Sequence, residues 1–217
     1  LGGLLMHPYS IQGSRWRKVG YLMLLTVAIS GPVNTALIKG FQIIPGLSIG
    51  QIPPAIPTLT IFSVLYLAWD KYLWRAPLVE RFTNPPNLRG EWTGNLDSSF
   101  YQDDLDTYVA DGGGNQTSPR MIVKQTWTRL SVTIDFQDST SVSTTASFIQ
   151  DMSDPVLRIT YRNTPTGRSD QSMIMHNGTN DLRYEKSNEG EFLKGKYYTD
   201  EHRNNHGEIT FRKSKMG

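Results

Sequence analysis

Two long stretches without a charged residue, 19–38 and 40–69, fill most of the first third of this 217-residue chain. No other feature narrows the possible folds as much. An uncharged run of about twenty residues, at about 1.5 Å rise each, matches the roughly 30 Å hydrocarbon thickness of a bilayer. The first run contains VGYLMLLTVAIS, and Gly31, Pro32 and Asn34 weaken its end. Membrane helices tolerate such residues where neighbours re-satisfy the backbone. In the second run Pro53, Pro54 and Pro57 suit a turn and a helix start, and TLTIFSVLYLAW follows. Tyr66, Trp69, Tyr72 and Trp74 supply an aromatic belt. The expectation is a two-helix transmembrane hairpin over 19–75, with a buried hairpin inside a globular fold as the alternative.

Charge sets the orientation of such a hairpin. Arg15, Arg17 and Lys18 precede the first run, Lys71, Arg75 and Arg81 follow the second, and Lys39 stands alone between them. Basic flanks stay inside, so both termini are expected on the cytoplasmic side, with 1–18 as an N-terminal tail. Residues 1–75 hold six Lys/Arg and one acid, Asp70, which leaves sixteen basic and nineteen acidic residues, or −3, for the rest. A slightly acidic domain is a poor partner for a DNA or RNA polymer, whose binding rests on phosphate neutralisation. The absence of cysteine excludes disulfides, thiolate metal sites and cysteine nucleophiles.

After a linker over 76–87 the pattern changes to period two. Val132, Ile134 and Phe136 alternate with Ser131, Thr133 and Asp135, as a half-buried strand requires. Similar runs cover 88–96, 121–127, 141–149, 156–162, 172–176, 182–186, 192–198 and 208–212. Asn177-Gly178 between two short runs reads as a hairpin turn, and Asn188-Glu189-Gly190 as another. No long helical stretch follows residue 80. The fold class expected is therefore membrane-anchored all-β. The hairpin is followed over 88–217 by an eight-stranded antiparallel up-and-down β-barrel, lipocalin-like in size, with a sandwich as the alternative. A barrel of eight strands is wide enough inside for one small ligand.

The stretch 197-YYTDEHRNNHGEITF-211 concentrates the side chains most able to do chemistry. His202 and His206 have the i, i+4 spacing of two metal ligands on one helical face. Arg203, Asn204 and Asn205 make the intervening segment a turn, and Arg203 repels a cation, so no metal is expected. No nucleophile elbow, zincin helix or phosphate loop occurs either, so no catalytic residue is assigned. A ligand rim fits better. Tyrosine faces stack on nucleobases at roughly 1–3 kcal/mol per base, and an arginine fork binds phosphate bidentately. Tyr161 and Tyr198 are balanced between core and pocket, while for Trp92 and Trp127 plain core packing is favoured over a cavity floor. Arg203 is the favoured phosphate contact, with an exposed turn arginine as the alternative.

The order of motifs MHPYSI, DKYLW, PNLRGEWTGNL, QTW, STSVSTTASF, LRITYRNTP and GKYYTDEHRNNHGEITF resembles the two-transmembrane, β-strand-rich effectors of bacterial CBASS antiphage systems. The resemblance covers the chain after Met6. It implies a cytoplasmic barrel that binds a cyclic di- or oligonucleotide second messenger made by a CD-NTase, with no other cofactor. It further implies ligand-induced homo-oligomerisation of the helices, contact with the lipid bilayer, and disruption of the bacterial inner membrane leading to cell death. The matching motifs carry Trp92, Trp127, Tyr161, Asn163, Tyr198, Thr199 and Arg203, and side-chain chemistry assigns stacking to the aromatics, base edges to Asn163 and Thr199, and phosphate to Arg203. Gly20, Ser30 and Gly31 are expected as close-packing positions between helices. The competing reading is a membrane-tethered lipocalin-like carrier of an apolar ligand, and a third is a structural domain with a filled barrel.

Overall fold

The computed structural model describes residues 6–11, 15–42, 55–76, 86–98, 118–136, 138–151, 154–166, 175–200 and 205–214. They fall into two compact units, one of residues 1–12 with 84–217 and one of 13–83.

The first unit is a closed barrel. Its strands are β1 (His7–Ile11), β2 (Gly90–Ser98), β3 (Arg120–Gln125), β4 (Arg129–Asp135), β5 (Ser139–Asp151), β6 (Asp154–Pro165), β7 (His176–Ser187), β8 (Gly190–Thr199) and β9 (His206–Lys213). The order around the ring is β1-β4-β3-β2-β9-β8-β7-β6-β5, closed back onto β1. The alternation read from the sequence becomes the two faces of this wall: Leu157, Ile159, Tyr161 and Asn163 are buried in β6, while Arg158, Arg162 and Thr164 are exposed.

The barrel differs from the expected one in strand number and direction. It has nine strands, and β1 pairs parallel with β5 through Tyr9↔Ala146, Ser10↔Ser147 and Ile11↔Phe148. The eight-stranded, wholly antiparallel fold is thereby corrected to a mixed nine-stranded one. The added strand comes from residues expected to lie in a tail. HPYSI shows one buried side chain, Tyr9, between exposed Pro8 and Ser10, too short an alternation to announce a strand. A second difference concerns Asn177-Gly178, which lies inside the continuous strand β7 and makes no hairpin. Residues 172–174 of the strand expected there lie outside the described residues. Gly178 serves packing: a Cβ there would collide with the Tyr161 ring on the neighbouring strand.

β1 wedges into a fork. β4 and β5 pair directly only at Thr133↔Val142, Ile134↔Ser141 and Asp135↔Thr140. A bulge in β5 between Ser143 and Thr145 then carries the two strands apart. β1 fills the gap, with His7 and Pro8 opposite Leu130 and Arg129 of β4. Tyr9 anchors it: its hydroxyl donates to the Trp127 carbonyl at 2.9 Å and its ring meets Phe148 edge-on at 5.5 Å.

The second unit holds α1 (Arg15–Gln42), α2 (Ala55–Lys71) and a 3-10 turn (Leu73–Arg75). Among the described residues no helix is long and apolar enough to cross a membrane. With 17 residues, α2 is roughly 25 Å long, short of a bilayer core, and it ends on Asp70 and Lys71. α1 has 28 residues, but Pro32 lies inside it and its two ends carry Arg15 and Lys39. This overturns the two-span hairpin and, with it, the multi-pass inner-membrane location. A Cβ at Gly20 or Gly31 meets nothing within 4 Å, whereas Ser30 is buried and donates to the Val27 carbonyl.

Candidate functional site

Following the inward face along the barrel divides it into two halves. Towards the β3–β4 and β7–β8 turns the interior is apolar: Trp92, Met121, Val123, Leu130, Val132, Phe148, Leu157, Leu182, Leu193 and Phe211 form one buried cluster. Three polar groups at this end have partners, whereas the buried Ser131 hydroxyl of β4 has none among the described residues. The Trp92 indole donates to the Leu88 carbonyl at 2.9 Å, and the buried Gln125 oxygen accepts from the Leu88 amide at 2.8 Å. Lys213 lies over the Trp92 ring and donates to Glu191 at 2.6 Å.

The other half is built differently. It lies where β2, β4, β6 and β8 end and β3, β5, β7 and β9 begin. Three rungs of paired inward residues run across it. The outermost holds Ser141, Asn163 and His176. The next holds Ser143, Tyr161, Gly178 and Thr199. The third holds Ile159, Asn180, Tyr197 and Gly207. Ile159, with Ala146 opposite it and Ile134 opposite Ser141, adds aliphatic surface to these rungs, and the other residues named on them are hydroxyl, amide, imidazole, tyrosine and glycine.

Two tyrosines are laid down by glycines. A Cβ at Gly178 would strike the Tyr161 hydroxyl, and one at Gly207 would come within 2.7 Å of the Tyr197 ring. Each glycine thus gives the ring on the adjacent strand room to lie against the wall. Between the rings stand two amides. Asn163 is 4% exposed and donates through Nδ2 to the hydroxyls of Ser139 at 3.0 Å and Ser141 at 2.9 Å. Its Oδ1, and the Oδ1 of Asn180, which is 2% exposed, are buried without a hydrogen-bond partner among the described residues. An unmet buried acceptor costs about 1–3 kcal/mol, so each oxygen is able to accept from a donor brought to it. None of the residues on the three rungs is a lysine or arginine.

The residues expected from the sequence separate into groups. Tyr161, Asn163 and Thr199 share the polar rungs, although the Thr199 hydroxyl is engaged by the β8–β9 turn, accepting from the Asn205 amide at 2.7 Å. Tyr198 is 48% exposed and faces outwards, because it is adjacent to Thr199 and neighbours in a strand point to opposite sides. Trp92 sits in the apolar half, and Trp127 is buried in the β3–β4 turn. Arg203 and His202 lie outside the described residues. Asn180, Tyr197, His176 and the inward serines 139, 141 and 143 were not singled out from the sequence. Parity would have found Tyr197, which shares the face of Thr199 in 197-YYT-199. Among the described residues no group of His, Asp and Glu could hold a metal ion.

The fold is a closed, mixed nine-stranded β-barrel among the described residues, with amides, hydroxyls and tyrosines lining one end. Residues 83–213, more than half of the chain, match the family described as Cap15, cyclic dinucleotide receptor domain, and the chain belongs to that family. It is 31% identical over 140 residues to the CD-NTase-associated protein 15 of Yersinia aleksiciae, an alignment covering 62% of this chain. The chain spans 61% of the length of that relative.

Proposed function

We propose that this chain is a non-enzymatic receptor of a CBASS antiphage system, and that a cyclic dinucleotide binds in the polar half of its barrel. One observation carries the location: two buried amide oxygens, on Asn163 and Asn180, face the interior without partners. Base edges supply donors of the kind these oxygens need, and the Tyr161 and Tyr197 rings offer flat faces for stacking. The lining is neutral, so the ligand's phosphates are best placed outwards, towards the β8–β9 connection that carries Arg203. Family membership supports the ligand class.

A receptor signals only if its ligand distinguishes two states, by several kcal/mol for a near-complete switch. Self-association of ligand-bound chains is the response we propose. The membrane-disrupting step implied by the resemblance has no spanning helix to carry it among the described residues and forms no part of this reading. The carrier of an apolar ligand would need an apolar lining at the open half, where the rungs are polar.

Calorimetric titration of the full chain with cyclic di-AMP, cyclic di-GMP, cyclic GMP-AMP and cyclic di-UMP tests this. Selective binding is expected, weakened about ten-fold or more in Asn163→Ala and in Tyr197→Ala, each removing one stacking or hydrogen-bonding contact. Binding that is absent, or unchanged in both variants, refutes it.

A further inference from the structure

The geometry points to the N-terminal strand as part of the receptor: His7 is a positioning residue for the ligand site, and docking of β1 is linked to occupancy of the barrel. This inference rests on the receptor reading above and extends it to residues outside the matched region 83–213.

The argument starts at the fork between β4 and β5. Where the two strands part, ordinary ladder pairing ends, and the Val132 amide needs an acceptor. It finds the Ser143 hydroxyl oxygen at 2.9 Å. The same oxygen lies 2.8 Å from Nε2 of His7. Nδ1 of His7 lies 3.1 Å from the Pro8 carbonyl, which can only accept, so in the neutral ring Nδ1 is the donor and Nε2 accepts from Ser143. A directional chain results, from the Val132 N–H to the Ser143 hydroxyl to the His7 imidazole.

Ser143 is also a wall residue of the site. It sits on the second polar rung, directly opposite Tyr161, two residues along β5 from the Ser141 that holds Asn163. It is buried at 5% exposure and adjoins the bulge, where the β5–β6 register steps by one residue. A ligand that moves Tyr161 or the serine ladder therefore acts on the seat of His7. The converse holds by necessity: if β1 docking changes ligand affinity, ligand changes β1 docking by the same factor.

β1 is suited to respond. It has five residues, two paired with β4 and three with β5, against the twelve register pairs that join β5 and β6. A short strand held by few ladder bonds opens more readily than the barrel as a whole. Only residues 12–14 separate it from α1, so a change in its docking acts on the chain leading into the helical unit.

The test uses full-length chain and the cyclic dinucleotide selected by titration. His7→Ala is expected to bind about ten-fold more weakly, a typical coupling between sites. His7→Gln, whose amide oxygen can accept from Ser143, is expected to recover most of that loss. Tyr9→Phe removes the hydroxyl that anchors β1 to Trp127 and is expected to weaken binding as well. Hydrogen exchange at residues 9–11 should change when ligand is added to the unmodified chain. Ser10→Cys with Ser147→Cys introduces two thiols at paired positions in a cysteine-free chain. The resulting disulfide should fix β1 and cancel the effect of Tyr9→Phe. Unchanged affinity in His7→Ala overturns the inference, as does a loss that His7→Gln does not restore with no ligand effect on β1 exchange. Failure of the unmodified chain to bind any cyclic dinucleotide instead removes the receptor reading itself, and this inference with it.

Discussion

The two halves of the barrel share strands and connections yet satisfy their polar groups in opposite ways. At the β3–β4 end the Trp92 indole, the Gln125 amide and the Lys213 ammonium all find partners inside the chain. At the other end the Asn163 and Asn180 oxygens find none. Since the same strands cross both halves, nothing about β-structure forces the difference. It resides in which side chains occupy inward positions, mostly hydrocarbon in one half, and amide, hydroxyl, glycine and tyrosine beside a few aliphatic residues in the other. Ligand-binding barrels need both: one half supplies stability, and the other spends some of it on readiness to bind.

The sharpest way to break the comparison is to cut into the filled half. Trp92→Ala removes a fully buried indole together with its hydrogen bond and the platform under Lys213. A loss of about 3–5 kcal/mol is expected in chemical denaturation, with unfolding at ordinary temperatures if the chain is marginal. A loss below about 1 kcal/mol would mean that the apolar half is not the core.

A smaller effect is expected where the two halves meet. Gly178→Ala puts a methyl group where the Tyr161 ring lies, and overpacking of this kind costs about 1–3 kcal/mol. Ligand affinity should fall with it, because the displaced ring enters the space between the rungs. Denaturation and titration on the same sample read both. Unchanged affinity would separate Tyr161 from the site.

Asn180→Leu sharpens the comparison by changing the sign. Removing an unmet buried acceptor should leave stability equal or raise it by about 1 kcal/mol, while binding is lost. If stability instead falls by more than about 2 kcal/mol, Asn180 is a structural residue and the polar half is not a site held open for a ligand.

How much of this was legible in the sequence follows the length of each signal. Val132, Ile134 and Phe136 alternate long enough to declare β4, and every later strand except β7 was read as a single run. β7 was cut in two because Asn-Gly reads locally as a turn, whereas the glycine is demanded by Tyr161 on another strand. β1 escaped because five residues hold one period of alternation and its partners lie more than 110 residues away. In the site, Tyr161 and Asn163 share a face by parity and were readable. Choosing Tyr198 beside Thr199 ignored that same parity, and Asn180 gave no local sign because its meaning comes from Tyr197 opposite it. The helical unit was misjudged for a related reason: an uncharged run specifies apolarity, but not the length of the helix it folds into.

The outer wall provides the smallest expected effect. Arg158 donates two hydrogen bonds to Asp181, at 2.6 and 2.7 Å, across β6 and β7. This bond and the Asp181 charge raise its pKa, against a small opposing effect of burial. A basic group whose folded pKa is raised adds stability that is fully present below its unfolded pKa. That stability is lost only as pH climbs through the folded value, which lies far above neutrality for a guanidinium. The pair therefore adds no pH dependence in the neutral range from the arginine side. With its side chain 52% exposed, the energy is screened, and Arg158→Ala should cost no more than about 1 kcal/mol, less at high salt. Ligand affinity should not change, because Arg158 faces away from the rungs. A shift in affinity would mean that the outer face of β6 takes part in binding, and that the division between a working interior and an inert exterior is wrong.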